Sequence, residues 1–171
     1  METLFADENI IIFLQLVLAM LLGIALGVER SIAGKMAGMR TYALVSLGSC
    51  LFIVTATTFG GPFFSDNVNI DPLMRISASI ITGIGFLGAG LIIFRGTTLS
   101  GLTTAAGLWV SAGIGIAVGF QLYAIAVFTT LLTLFVFTIL WFVEEYLEKN
   151  LRFSKNDPDD THTRQNSDTN Q

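Results

Sequence analysis

Residues 96–143 form a run of 48 positions without a single Asp, Glu, Lys or Arg. A membrane-spanning helix needs roughly 20 apolar residues, so this run has room for two spans and a tight turn. Residues 10–28, 41–65 and 76–94 are equally free of these four residue types. A soluble core does not account for four such runs. Charged residues make up 13% of the chain, about half the share of a soluble domain. The expected fold class is all-α: a polytopic helix bundle in contact with the lipid bilayer.

Five spans are predicted, at about 9–29, 41–60, 72–95, 101–119 and 121–147. The fourth and fifth are separated at Gly119-Phe120-Gln121, the polar interruption near the middle of the longest run; without that break the count falls to four. Gly60-Gly61-Pro62 ends the second helix, since proline cannot continue one. Asp71-Pro72 opens the third, with an acidic cap before proline at the first helical position. Arg30, Lys35, Arg40, Arg95, Lys149, Arg152, Lys155 and Arg164 then share one side, and Arg75 lies opposite. The positive-inside rule makes that basic side cytoplasmic and places the N-terminus outside. Four spans would split these basic residues, so the charge pattern also favours five.

Glu2, Asp7 and Glu8 precede the first apolar run without a Lys or Arg, unlike a signal peptide, so that run is expected to be retained. Residues 1–153 form the transmembrane domain, and 154–171 carry no large apolar side chain and are expected to be a disordered cytoplasmic tail. His162 in that tail is expected to be solvated. Cys50 has no second cysteine to pair with and reads as a small buried thiol.

Residues 83–88 spell G-x-G-x-x-G, the fingerprint of a pyrophosphate-cradling turn. That fingerprint counts only between a strand and a soluble helix, and here it sits inside an apolar span. Neither a nucleotide at Gly83–Gly88 nor a nucleic acid is expected as a ligand. Small residues in membranes instead let helix backbones approach closely. Ala19, Gly23 and Gly27 recur at a spacing of four, as do Gly107, Ser111, Gly115 and Gly119. In the third helix Gly83, Gly85, Gly88 and Gly90 fall on more than one face, which predicts a central position for it. Two readings of Gly85 and Gly88 stay open: tight packing, or a loosened helix whose carbonyls line a cavity. The same small faces offer surfaces for self-association or for another membrane protein complex.

The remaining charges sit at helix ends. Glu29 and Arg30 close the first span, and Arg40 and Thr41 open the second on the same side, where Glu29 is within reach of Arg40. This pair reads either as a topology anchor or as part of a site, because ionisable groups near the bilayer often mark one. Gly101, Thr103 and Thr104, with their hydroxyl-rich connection from Arg95, lie at the same face, either capping the fourth helix or re-entering the bilayer. Asp71 and Arg75 form a candidate outer pair at i, i+4. One His and one Cys cannot assemble a metal cluster or a nucleophile–base pair. No enzyme, metal or cofactor is expected.

Gly27-Val28-Glu29-Arg30, Ala37-Gly38-Met39-Arg40-Thr41, Asp71-Pro72 with Arg75, 83–90, and Gly101-Leu102-Thr103-Thr104-Ala105-Ala106 with Trp109 occur in order. Together these blocks resemble the MgtC/SapB family of bacterial inner-membrane proteins over about residues 10–143. The resemblance implies a multi-pass plasma-membrane protein whose relatives are linked to low magnesium, acid stress and survival inside host cells. Two departures stand out. Tyr42 occupies the position after Arg-Thr where the family commonly has His, which removes a group titrating near neutrality. The polar tail is also too short to be the soluble regulatory domain that many relatives carry. Two functions follow: regulation of another membrane complex, or transport of magnesium or a proton-linked ion. The first is favoured, because the carboxylates at span edges are Glu29 on the inside and Asp71 on the outside, with none at the membrane depth between them to line a magnesium path.

Overall fold

The computed structural model describes residues 2–60, 71–95 and 98–155. Five helices stand among them: α1 (Glu2–Ile32), α2 (Met39–Gly60), α3 (Asp71–Leu91), α4 (Leu102–Gly119) and α5 (Tyr123–Lys155). Each contains a stretch long and apolar enough to cross a membrane. The expected tail lies outside the described residues, except that Ser154 and Lys155 complete α5.

The break between the fourth and fifth spans is a specific backbone device. At the end of α4, Gln121 adopts a left-handed conformation with φ 64. Its N–H donates to the Val118 carbonyl, and the Leu122 N–H donates to the Ala117 carbonyl, each at 2.9 Å. That crossed pair satisfies carbonyls that α4 would otherwise leave open. The end of α1 repeats the motif with Gly34 at φ 65, bonding through Gly34 to Ser31 and through Lys35 to Arg30. Glycine adopts this conformation without steric penalty, whereas Gln121 does so at some cost.

The third span ends four residues earlier than expected. Ile93–Arg95 (β1) and Thr98–Ser100 (β2) form an antiparallel hairpin, pairing Ile93 with Ser100 and Arg95 with Thr98. Periodicity cannot separate a short apolar strand from the continuation of a buried helix. The hairpin's base is pinched where Gly101, at φ 89, would press any Cβ against the Leu91 carbonyl. The segment therefore neither extends α3 nor caps α4 through a side chain, and Gly101 makes no side-chain capping bond.

The core is built by α1, α2 and α4, each packed on the other two. A Cβ on Gly23 would come within 2.6 Å of the Tyr42 carbonyl, and one on Gly27 would lie 2.8 Å from the Met39 nitrogen. From α4, Gly115 meets the Ser46 backbone, and a Cβ on Gly119 would stand 2.7 Å from Ile53 Cβ. Gly107 is buried in the same face of α4. Ser111 Oγ adds a 2.9 Å bond to the Tyr42 carbonyl, and Gln15 on α1 donates to the Val118 carbonyl at 3.3 Å. Backbones this close gain dispersion contacts and inter-helix hydrogen bonds, the forces that join helices in lipid.

The central position expected for α3 is not observed. Only 6% of its span is buried, against 56% for α4. Gly88 meets Ala105 at an ordinary 3.5 Å, while Cβ atoms on Gly83, Gly85 and Gly90 would meet nothing. Small residues permit close approach but do not supply the neighbour. On α2 the close contacts at Ser46, Ser49 and Ile53 are taken by Gly115 and Gly119 of α4.

Residues up to Leu134 form one compact unit, in which Ala126 and Thr130 of α5 are buried. From Phe135 onward α5 is a unit of its own, where the Trp141 and Phe142 rings meet edge to face at 5.0 Å.

Orientation rests on the basic residues. Reporter fusions after Asp66 are expected to read outside, and fusions after Lys35, Gly96 and Lys155 inside. An outside signal at Lys155 contradicts that topology.

Candidate functional site

One end of the core gathers the polar residues that the first, second and fourth helices bring there. Arg30, in the last turn of α1, is 3% exposed. Its Nη2 donates to Glu29 Oε1 at 2.8 Å and its Nε donates to Glu29 Oε2, a two-pronged contact between sequence neighbours. The Glu29 side chain is 21% exposed, so the pair has one member inside the protein and the other at its edge. A planar guanidinium suits this contact as a lysine ammonium does not.

Tyr42, in the first turns of α2, is completely buried and lies within the electrostatic field of both charges. Its hydroxyl donates to the Thr104 carbonyl at 3.3 Å, and its own carbonyl accepts from Ser111. The side chain thus ties the start of α2 to the start of α4. At the same end Met39 N–H donates to Ser31 Oγ at 3.1 Å, holding the α1–α2 loop across its base. Tyr42→Phe removes one buried hydroxyl and is expected to cost about 1 kcal/mol, read as a lower midpoint in thermal unfolding.

The expected Glu29–Arg40 pair is corrected by this geometry. Arg30 holds the carboxylate, and Arg40 and Thr41 are exposed on a different face of α2. Position along the chain indicated that both ends of the loop meet the same membrane surface, but not which face of α2 each side chain takes. Thr104 is buried among the core helices while Thr103 is exposed, so the two threonines do not act as one pair of hydroxyls. Gly101 belongs to the hairpin base. At the other membrane surface Arg75 is exposed, and the Asp71 side chain lies outside the described residues.

Gln15 and Ser111 were not singled out as site residues. A lone carboxamide amid the charge-free run of the first helix was the available signal, since polar groups at that depth bond between helices. Gln15 borders a cavity of about 370 Å³ with Thr57, Thr58 and Gln121.

Comparison with known proteins places the chain among named relatives. The family model described as MgtC family matches residues 16–146. YhiD of Escherichia coli strain K12, named provisionally as a magnesium transporter, is 42% identical over 127 residues, covering 74% of this chain and 59% of its own. Protein MgtC of Salmonella typhimurium strain LT2 is 42% identical over 99 residues, covering 56% of this chain and 39% of its own. An uncharacterised protein of Haemophilus influenzae is 37% identical over 106 residues, covering 60% and 44%. The chain therefore spans less than two thirds of the length of these relatives. No solved structure matches it.

Proposed function

The chain belongs to the MgtC family, and from that premise we propose that it is a regulator of another complex in the bacterial inner membrane, acting by contact during adaptation to low magnesium or acid stress. The observation that carries this reading is the Glu29–Arg30 pair. It is anchored on the inside by a buried guanidinium and offers a partly exposed carboxylate at the bundle's edge. Behind it, glycine-mediated contacts close the α1–α2 and α2–α4 seams at backbone distance. A rigid core that presents the outer edge of this ion pair suits recognition by a polar loop of a partner. Catalysis is no part of the reading.

Transport is the second reading, favoured by the name given to YhiD. A magnesium ion requires oxygen ligands, commonly one or two carboxylates with retained waters. Among the described side chains of this site Glu29 is the carboxylate, and its two oxygens already accept from Arg30. A magnesium path would have to displace that contact.

Flux separates the two. The full chain, purified and sealed into liposomes, is expected to move neither magnesium nor protons above the rate of protein-free vesicles. Saturable flux of either ion that Glu29→Gln alters overturns the regulatory reading.

A further inference from the structure

Between α2 and α3 the helices touch only lightly, leaving an open groove of about 730 Å³. Its α2 wall runs from Arg40 to Phe52 and its α3 wall from Ile76 to Leu87. At 1.5 Å per residue the α2 wall is roughly 18 Å long. One leaflet of a hydrocarbon core about 30 Å thick measures about 15 Å. The groove is therefore one leaflet deep, whereas a docked transmembrane helix would need contacts across the full thickness.

The chemistry of the walls is equally one-sided. Two hydroxyls lie along the groove, and both are satisfied within their own helices: Ser49 donates to the Val45 carbonyl at 2.8 Å and Ser79 to the Arg75 carbonyl at 2.9 Å. The rest of the depth is aliphatic, aromatic or glycine. Polarity concentrates at the end bearing Arg40, which is exposed and forms no ion pair with a described residue. Thr41 stands beside it. A dry slot with a cation at one mouth complements a molecule with an apolar tail and an anionic head.

We propose that the α2–α3 groove holds an acyl chain of an anionic phospholipid whose phosphate rests on Arg40 and Thr41. Basic pockets between membrane helices take anionic headgroups by this combination of charge and depth. The site is separate from the Glu29–Arg30 pair and does not rest on the regulatory reading.

The glycines provide a clean test. Cβ atoms on Gly48 and Gly83, one on each wall, would meet nothing within 4 Å, so leucines there start from open space in the slot and are expected to fill it. Gly113 on α4 is equally open but lies outside the groove, and Gly113→Leu is the control. The full chain in detergent is offered equal amounts of phosphatidylglycerol and phosphatidylcholine, and retained lipid is read by native mass spectrometry. Phosphatidylglycerol is expected in about fivefold excess, the effect of one basic side chain on an anionic lipid. Arg40→Gln should equalise the two lipids, and Gly48→Leu with Gly83→Leu should lower retention of both while Gly113→Leu does not. Excess inorganic phosphate should fail to displace the lipid. Equal retention by the wild type, undiminished retention in the filled-groove variant, or displacement by phosphate overturns the proposal. So does a dimer that Gly83→Leu dissociates, which makes a second copy the occupant.

Discussion

Gly115→Leu is expected to prevent the bundle from assembling, so that the protein fails to accumulate in the membrane. The reason lies in what surrounds that position. A Cβ on Gly115 would stand 2.8 Å from the Ser46 carbonyl carbon and 2.9 Å from Ser49 Cβ. The first obstacle is backbone and cannot rotate aside, so a leucine must drive α4 away from α2. That separation also strains the Ser111 bond to Tyr42, one turn before, and the Gly119 contact with Ile53, one turn after. Overpacking a core commonly costs 1–3 kcal/mol, and separating two backbones belongs at or above the upper end. Folded domains hold only about 5–15 kcal/mol in reserve. Gly113→Leu, two positions along the same helix, enters open space and is expected to accumulate as the wild type does. Equal levels and equal thermal midpoints for the two variants contradict the close-packed α2–α4 seam.

The same pair of glycines shows how far the residues alone carry the fold. Charge-free runs and the polar break at Gln121 were sufficient for five spans, because hydrocarbon excludes charge whatever the tertiary arrangement. The four-residue spacing on α4 was sufficient for a close-packed face. What spacing does not contain is the identity of the neighbour. Gly83, Gly85 and Gly90 are equally apt for packing by spacing, yet Gly83 lines the groove, Cβ atoms on Gly85 and Gly90 would meet nothing within 4 Å, and α3 is peripheral. The hairpin at 93–100 escaped for another reason: Ile92-Ile93-Phe94 is apolar enough to continue a span and β-prone enough to leave one. In the candidate site, the shared membrane surface of Glu29, Arg40 and Thr104 followed from topology. The partner of Glu29 did not, because adjacent residues on a helix normally face apart, and only the fork of the Arg30 guanidinium brings the two together. Tyr42 stood out as a departure from the family pattern, but its role as the tie between α2 and α4 needs the approach of two distant segments.

Glu29→Gln is expected to abolish growth that depends on this protein in low magnesium, while the protein still accumulates. The substitution removes the charge and keeps the volume and one acceptor oxygen. Arg30, nearly enclosed by the protein, then loses its carboxylate and one strong contact. Hydrogen bonds to charged groups contribute about 1.5–3 kcal/mol, and the loss falls toward the lower end because Glu29 is partly exposed and a carboxamide still accepts. Such a deficit lowers the thermal midpoint without emptying the membrane of folded protein. Arg30→Lys should act similarly, since an ammonium cannot reproduce contacts from both Nε and Nη2. Arg40 supplies the discriminating comparison. A double-mutant cycle between Glu29 and Arg30 should give a coupling of at least about 0.5 kcal/mol, whereas Glu29 with Arg40 should add to within about 0.5 kcal/mol. A larger coupling to Arg40 means that the carboxylate changes partners in the membrane, and normal growth of Glu29→Gln at normal protein levels reduces the pair to a topology anchor.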